Sequence, residues 1–527
     1  MRIASYILPE RLRKNPLYSL ACCLVFFVAA YELSQYILEG DFTGLAYIGI
    51  ACLIGVGAIW MLNNWRIGTF IFFGWICFED LFRKYLGNNM AIYFAKDVLI
   101  AIVYLSFFNA YRRKQVRLFK PPFYVPLLIL VWFGFLQVFN PASTSIFYGI
   151  MGMKLYFYYI PLFYVGYAFF RAEIDIQRFY VYLMILVFVV TGLGIAQAIL
   201  GHTFLNPVVI QGDIRELSTG YRVSPISGLI VYRPTSVFVS NGRFASFLIP
   251  AWLFSFGFGT YLLLRSREHR LVTSLALAFT TVAIALCASR GSVMWTLGSA
   301  VVCILAFLWG CPWQHGQLVR VLRGLWRSLF VVVSALALAF ILYPDAIKGR
   351  LAFYWETLAL SSPASQLVNR SETYPLANLI LAFDHPRWPY GYGIGTSSLG
   401  TQYVARIMHA QPMHISVESG YGTLIVELGI LGLILWLIMS AVLIVSSWKI
   451  VLKLRNSPYF SLGFVIFWYS FLFVGPYIFA GFAAYEDFLI NSLFWFSLGI
   501  LFRLPGLPLS RSNLNPLTPN PGELRSA

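Results

Sequence analysis

Arginine dominates the cations of two long polar stretches, residues 201–242 and 345–418, that interrupt an otherwise apolar chain. Eight of the nine cations there, counting one residue at the edge, are arginine, whose planar guanidinium can bind a phosphate through two parallel hydrogen bonds. This bias predicts an anionic ligand; pairing with acids of the same stretches, or contact with lipid headgroups, is the alternative. The cations are Arg215, Arg222, Arg233, Arg243, Lys348, Arg350, Arg370, Arg387 and Arg406, and the acids considered as their partners are Asp213, Glu216, Glu356, Glu372 and Asp384.

Two further cations lie beside or within apolar runs. Arg290 belongs to Ala-Ser-Arg-Gly at 288–291, which is the whole link between two such runs, so its charge must either extend to the membrane surface or bind a ligand there. Lys154 lies inside the run that begins near residue 146. An ionisable residue within a membrane span is a functional candidate, although a lysine near a helix end can also reach the surface.

The segment from Pro412 to Glu427 is predicted to open a helix that continues into a membrane span. Helical spacing would place His414, Glu418 and Tyr421 on one face of that helix. A carboxylate or imidazole there can accept a proton from a hydroxyl group, and the helix N-terminus favours a nearby anion. The alternative is that Glu418 only complements the helix dipole and His414 only caps a loop.

The chain offers no convincing metal or nucleotide motif. The turn Tyr-Gly-Tyr-Gly-Ile-Gly at 390–395 lacks the Gly-Lys-Ser/Thr ending of a phosphate-binding P-loop, and the seven cysteines form no Cys-x-x-Cys pair. Three histidines share one outer stretch, but their spacing fits no zinc pattern, so no metal site is predicted. They are His385, His409 and His414.

The composition predicts that these residues belong to a membrane protein. With 59% hydrophobic and only 11% charged residues, and a mean hydropathy of +0.74, the chain has too little polar surface for a soluble fold. The net charge of +17 is distributed in clusters between apolar runs, which indicates topology signals and not nucleic-acid binding. About fourteen membrane-spanning helices are predicted, near 17–38, 44–62, 67–82, 89–110, 122–140, 146–170, 179–200, 243–264, 271–288, 292–310, 328–344, 419–447, 460–483 and 487–503.

Lysine and arginine in short loops favour the cytoplasmic side, and their distribution predicts that both termini are cytoplasmic. With this orientation, the only lysines and arginines in the short outer loops are Arg83, Lys84 and Arg290. The predicted organisation is about seven N-terminal spans (1–200), a first long periplasmic loop (201–242), central spans (243–344), a large periplasmic loop (345–418), C-terminal spans (419–503) and a disordered cytoplasmic tail (504–527).

Four stretches, in this order, resemble the O-antigen ligase and polymerase superfamily, which are membrane glycosyltransferases acting on polyprenyl-diphosphate-linked sugars. Arg-Pro-Thr-Ser-Val-Phe-Val-Ser-Asn-Gly-Arg-Phe-Ala at 233–245 is similar to the family's arginine-containing stretch before a span, and Ser-Arg-Gly at 289–291 is similar to its short outer turn. The sequence at 385–395, with its His-Pro and Gly-x-Gly elements, resembles the end of the family's large periplasmic loop. The sequence at 418–433 resembles the helix that follows, so the resemblance covers roughly 230–435.

The resemblance implies an all-α, GT-C-like protein of the bacterial cytoplasmic (inner) membrane that polymerises polyprenyl-diphosphate-linked oligosaccharide repeats into exopolysaccharide or O-antigen at the outer face. Such an enzyme would use no metal and no cofactor. Its partners would be the lipid-linked oligosaccharide, membrane lipid, and, as candidate protein partners, a chain-length regulator and a flippase, without nucleic acid. Two alternatives stay open: ligase-type transfer of a glycan to a lipid or protein acceptor, and a lipid-linked oligosaccharide flippase or transporter.

The resemblance also implies roles by position within the matching stretches. The family often has His-Asn where this chain has Glu418-Ser419, and the ligase branch uses that histidine in catalysis. The carboxylate therefore favours a polymerase, with either Glu418 or His414 as the base and Arg290 stabilising the departing diphosphate. The predicted diphosphate ligands are Arg233, Arg243, Arg290, Arg370 and Lys154, and the predicted sugar contacts are Tyr392 and Tyr421.

Overall fold

The computed structural model describes residues 55, 57–86, 90–206, 220–265, 268–313, 319, 334, 337, 341, 344–367, 373–398, 401, 404–405 and 417–508. The predicted helix at 17–38 lies outside these residues, as do most of the predicted helices at 44–62 and 328–344 and most of the predicted disordered tail at 504–527.

The described chain is mostly helical, with one short antiparallel hairpin formed by β1 (Tyr221–Val223) and β2 (Ile230–Tyr232). In chain order the helices are α1 (Trp65–Leu86), α2 (Met90–Arg112), α3 (Tyr124–Gln137), α4 (Ile146–Phe157), α5 (Leu162–Phe169), α6 (Glu173–Leu200), α7 (Asn241–Arg265), α8 (Arg270–Leu286), α9 (Arg290–Gly310), α10 (Pro344–Leu358), α11 (Tyr374–Leu381), α12 (Gly420–Lys453), α13 (Phe460–Val474), α14 (Pro476–Ala480), α15 (Ala483–Glu486) and α16 (Phe488–Arg503).

Within the described residues, eight helical segments are long and apolar enough to cross a membrane. Helices satisfy their own backbone hydrogen bonds, which is the condition for crossing a hydrocarbon layer, so the chain is a multi-pass helical membrane protein. The total of fourteen spans stays a prediction. The eight segments are Ala91–Arg112, Ile146–Phe169, Glu173–Leu200, Asn241–Arg265, Arg290–Gly310, Gly420–Lys453, Phe460–Ala480 and Phe488–Gly506; the shorter Tyr124–Gln137 and Arg270–Leu286 match two more predicted spans.

Three predicted spans are interrupted where the chain contains proline or glycine. The segment predicted at 146–170 divides before Pro161, and the one predicted at 460–483 divides at Gly475 and Pro476. Proline lacks the N–H that an α-helix needs, so each site begins a new helical piece. In α12 the break is at Gly429, whose φ of 73° lies in the left-handed region that glycine tolerates best.

The chain forms two compact units. The first comprises Met1–Trp75 and Phe94–Val116, and within it the rings of Trp65 and Phe107 pack edge to face with centroids 5.2 Å apart. The second comprises Ile76–Tyr93 and Arg117–Ala527 and contains every candidate site residue.

The described parts of the two long polar stretches pack against each other. The Glu356 carboxylate on α10 accepts hydrogen bonds from the backbone N–H groups of Ile226 (2.8 Å) and Ser227 (3.2 Å) near the hairpin tip. The buried guanidinium of Arg350 donates to the carbonyl oxygens of Tyr232 (3.2 Å) and Leu286 (2.8 Å). The hairpin is thereby fastened to α10 and to the end of α8.

Candidate active site

A cavity of about 520 Å³ opens beside the N-terminus of α9 and is lined by three arginines. They come from separate parts of the sequence: Arg222 is on β1, Arg233 directly follows β2, and Arg290 is the first residue of α9. The remainder of the wall is largely apolar. It includes Met294, Trp295, Leu358, Leu367, Pro476 and Phe479.

The short hairpin explains why Arg222 and Arg233 lie on one wall. In the β1–β2 register Arg222 is opposite Val231, and Arg233 donates its backbone N–H to the carbonyl of Gly220 (3.2 Å), which continues the pairing past β2. Val231 itself is buried against Ala288, at the turn that precedes α9. The hairpin thus brings both arginines to the turn that carries Arg290.

Arg233 experiences an unfavourable electrostatic environment. Burial, together with the positive charges of Arg222 and Arg290, lowers the pKa of Arg233 to about 10, so it remains charged at neutral pH. Its Nε is buried and has no hydrogen-bond partner among the residues that the structure describes. An anion in the cavity would offset the repulsion and supply the missing acceptor.

The Arg290 guanidinium is held in a defined direction. Its Nη1 donates to Oε1 of Gln366 (2.6 Å), and its Cζ lies 5.6 Å from the centroid of the Phe353 ring. Gln366 also lines the cavity. Side chains that fix an arginine before a ligand arrives reduce the ordering that binding requires.

A second cavity, of about 300 Å³, shares a wall with the first. Arg233, Ser289, Gly291 and Trp295 line both. The smaller cavity has more hydroxyl groups and small residues on its wall, which suits a ligand rich in hydrogen-bonding groups. Its wall includes Gly242, Ser246, Ser292, Tyr477, Ala480 and Gly481.

Glu418 lines the described wall of neither cavity, but its contacts lie near both. The exposed carboxylate accepts a short hydrogen bond from the Tyr374 hydroxyl, and Pro375, the next residue, lines the larger cavity. The Glu418 carbonyl is near the smaller one, because a Cβ placed on Gly481 would lie 3.2 Å from that oxygen. Ser419 caps α12, since its side chain accepts the N–H of Gly422. Glu418 therefore immediately precedes a helix N-terminus.

The structure places Arg243 outside both cavities. Its Nε donates to Asp487 (2.7 Å) and its Nη1 makes a short ion pair with Asp80, which also pairs with Arg83 (3.0 Å). Asp487 in turn caps α16 by accepting the N–H of Leu489. The predicted diphosphate ligand is thus occupied by two carboxylates that join α1, α7 and α16.

Lys154 is likewise placed away from the cavities. Its Nζ lies 5.0 Å from the centroid of the Tyr93 ring and 5.2 Å from that of Phe488, over aromatic faces that attract a cation. The predicted ligand Arg370 and the predicted base His414 lie outside the described residues.

The two predicted sugar contacts have internal partners. Tyr392 is half-buried and packs on the cluster that contains Val426 and Ala382. The Tyr421 hydroxyl donates to the Val474 carbonyl (3.4 Å) where α13 ends, and its ring lies 5.9 Å from that of Phe479, which lines the larger cavity. Of the predicted site residues, the structure therefore brings Arg233 and Arg290 to one cavity, and it connects Glu418 to that cavity through Tyr374 and Pro375.

Sequence reasoning missed a buried carboxylate, Glu427 in α12. Its side chain is fully buried and accepts hydrogen bonds from the Tyr156 hydroxyl (2.7 Å) and from the backbone N–H groups of Gly395 (3.0 Å) and Ser397 (2.8 Å). The available signal was a single acid inside the apolar run at 419–447. Arg222, which was noted only as one of nine loop cations, and Gln366 were the other residues missed.

The glycine turn at 390–395 fits into the break of α12. The kink at Gly429 frees helix carbonyls, and those of Val426 and Glu427 accept the N–H groups of Tyr392 (2.8 Å) and Gly393 (3.0 Å). Gly395 has a φ of 84° and touches the α4 backbone so closely that any side chain would collide with it. This glycine-rich turn is therefore a structural connection between α4 and α12.

The fold and the cavity together define a multi-pass helical membrane protein with a concave cationic site. No family model matches the chain, and no curated protein is detectably similar to it. In the described part of the chain, no three histidine, cysteine, aspartate or glutamate side chains come together in a group that could hold a metal ion.

Proposed function

We propose that the protein is a bacterial cytoplasmic-membrane glycan polymerase, which joins polyprenyl-diphosphate-linked oligosaccharide repeats at the outer face of the membrane. The observation that carries this proposal is the convergence of Arg222, Arg233 and Arg290 on one cavity whose remaining wall is largely apolar. A polyprenyl-diphosphate sugar fits such a cavity, because it has two adjacent phosphates for the arginines and a long hydrocarbon chain for the apolar wall. Guanidinium forks bind the phosphates and apolar walls accept the chain.

In the reaction, a hydroxyl oxygen of the acceptor sugar forms a bond to the anomeric carbon of the donor. The bond from that carbon to the diphosphate breaks, and the diphosphate leaves with the electron pair. Arg233 and Arg290 stabilise the charge that develops on it. The proton of the hydroxyl passes to the Glu418 carboxylate, which the Tyr374 hydroxyl orients from the other side.

The smaller cavity supplies a place for the acceptor sugar. It adjoins both Arg233 and the backbone at Glu418, so an acceptor there is next to the donor diphosphate and to the base. Holding both reactants in adjoining cavities replaces a bimolecular encounter by a step within one complex, which lowers the entropic part of the barrier.

The test is substitution in the producing bacterium, with analysis of lipid-linked intermediates and finished polymer. Arg290→Gln and Glu418→Gln are expected to reduce polymer by at least about 100-fold, while single lipid-linked repeats accumulate at the outer face. Arg387→Gln is the matched control, since Arg387 is an exposed arginine of the same outer stretch and does not line the described walls of either cavity.

Other outcomes separate the alternatives. Repeats trapped at the inner face would indicate a flippase. Long lipid-linked chains that are never transferred would indicate a ligase. Normal polymer in both variants, with the proteins present in the membrane, would refute the proposed function.

A further inference from the structure

The hairpin and α10 expose an unusual amount of apolar surface for elements outside the membrane spans. Ile230 is 69% exposed at the start of β2, Trp355 is 69% exposed on α10, and Leu360, just beyond α10, is 78% exposed. Water-facing surfaces rarely keep so many large apolar groups together without a partner. The other members of this apolar face are Val223, Ile226, Leu229 and Leu351.

This apolar face belongs to one folded unit. The Glu356 carboxylate fastens the hairpin tip to α10, and Val231 is buried with Phe353 and Ala288 in a small core beneath it. Because Val231 and Phe353 are packed on the inner side of this unit, the hairpin and α10 hold the exposed apolar side chains in fixed positions.

The exposed charges that the structure describes in this unit are positive. Among the hairpin and α10 side chains that the structure describes, the exposed ionic ones are Arg222 and Lys348, whereas Glu356 and Arg350 are buried. Exposed aliphatic and tryptophan side chains beside basic residues are the signature of elements that lie in the interface of a membrane with anionic lipids.

The unit is also tethered to the membrane. Only residues 233–240 separate β2 from the membrane-spanning α7, and the turn at Ala288 that contacts Val231 leads directly into the membrane-spanning α9. Such short connections keep the apolar face next to the bilayer surface.

We infer that the apolar face of the hairpin and α10 inserts into the outer-leaflet interface of the bilayer, with Arg222 and Lys348 at the level of lipid phosphates. Arg222 and Leu358 of this unit line the larger cavity, so its mouth would adjoin the lipid, and an amphiphile could enter from the leaflet without crossing water. The inference holds whichever reaction the cavity supports.

Site-directed spin labelling tests the insertion in the full-length protein. Single cysteines replace Ile230 and Trp355 in a background whose seven native cysteines are changed to serine or alanine, and the protein is reconstituted into phosphatidylethanolamine and phosphatidylglycerol bilayers. The accessibility of each label to oxygen, which concentrates in lipid, is compared with its accessibility to a water-soluble nickel chelate. Two labels keep the test valid if one variant fails to fold.

Reference labels define the two limits. Leu305→Cys is on the exposed side of the membrane-spanning α9, and Glu268→Cys is exposed in the connection between α7 and α8. Insertion predicts oxygen-to-nickel ratios at Ile230 and Trp355 several-fold above that of Glu268 and close to that of Leu305. A ratio like that of Glu268 would overturn the inference, and so would poor access to both reagents, which would mean that a second copy or another protein covers this face.

Discussion

Arg233 and Arg243 belong to the same short stretch, residues 233–245, and the sequence predicts that both bind the diphosphate. Their electrostatic surroundings are nevertheless opposite. Arg243 is held between Asp80 and Asp487, so its charge is neutralised where α1, α7 and α16 meet. Arg233 faces the like charges of Arg222 and Arg290, and its Nε lacks a hydrogen-bond partner among the described residues. The same residue type therefore stabilises the fold at one position and is left with an unpartnered donor beside like charges at the other.

The difference shows how a binding cation can be recognised. A buried charge that folding itself neutralises has little left to offer a ligand, whereas a charge kept beside like charges gains most from an anion. A cluster of like charges lowers the stability of the ligand-free protein. Proteins keep such destabilising clusters mainly at sites where function requires them. Arg233 meets this description, and Arg243 does not.

The largest expected effect is loss of folding when Arg243 is removed. Arg243→Ala leaves Asp80 and Asp487 buried without their shared partner, which is expected to lower the free energy of unfolding by about 3–5 kcal/mol. The yield of monodisperse protein and its unfolding midpoint in detergent measure this. If instead Arg243→Ala folds normally and only loses diphosphate binding, the comparison fails and Arg243 is a ligand.

The comparison extends to an acid, because Glu427 is also satisfied internally. In Glu427→Gln the amide nitrogen must face one of the donors, the N–H of Ser397 or of Gly395, so a hydrogen bond is replaced by repulsion between donors. The expected loss is about 2 kcal/mol in the free energy of unfolding, read as a lower thermal midpoint. Tyr156→Phe, which removes one donor and leaves no clash, is the control and should lose less. Equal loss in both variants would mean that the carboxylate does not hold the turn.

The spans were largely predictable, because a helix in lipid is specified by a long apolar run and little else. The ends of α6, α7, α9 and α16 agree with the apolar runs within a few residues, except that α6 begins nearly two turns before its run. The breaks at Pro161, Gly429 and Gly475 were not predicted, because apolar run length does not register them. The hairpin was missed because its strands are only three residues long.

The site was predictable in residue type but not in pairing. Sequence patterns predicted Arg233 and Arg290 as phosphate-binding cations, and the structure brings them to one wall. They could not show that Arg243 is neutralised, because Asp80 and Asp487 are far away in the chain and such contacts follow from helix packing, which spacing does not encode. Arg222 was hard to single out for the same reason, since only the β1–β2 register places it on the cavity.

A smaller effect is expected from neutralising Arg233. Arg233→Gln removes a like charge from beside Arg222 and Arg290, so the unfolding midpoint should stay the same or rise, by less than about 1 kcal/mol in free energy. Inorganic pyrophosphate should raise the midpoint of the unaltered protein and should do so much less for the variant. Arg387→Gln should keep the full pyrophosphate response. A marked drop in stability for Arg233→Gln would show that this arginine, like Arg243, is structural.

The smallest effect concerns the Glu356 contact with the hairpin, a third way in which this protein uses a charge. Hydrogen bonds from Ser227 and from the N–H of Ile226 lower the pKa of Glu356 from its usual value of 4.5. Because the folded-state pKa is the lower one, the contact contributes fully above the unfolded value and is lost as the pH falls through the folded value. A spin label at position 230 should therefore become more mobile only below about pH 4.5.

Glu356→Gln separates this contact from general acid unfolding. Its neutral amide oxygen accepts these hydrogen bonds more weakly than the charged carboxylate does, so the label should be more mobile than in the unaltered protein already at neutral pH and should change little on acidification. A label that stays immobile in the variant would show that Arg350 and the core around Val231 suffice to hold the hairpin. In that case only Arg222 and Arg233, and not Glu356, would connect the hairpin to the chemistry of the cavity.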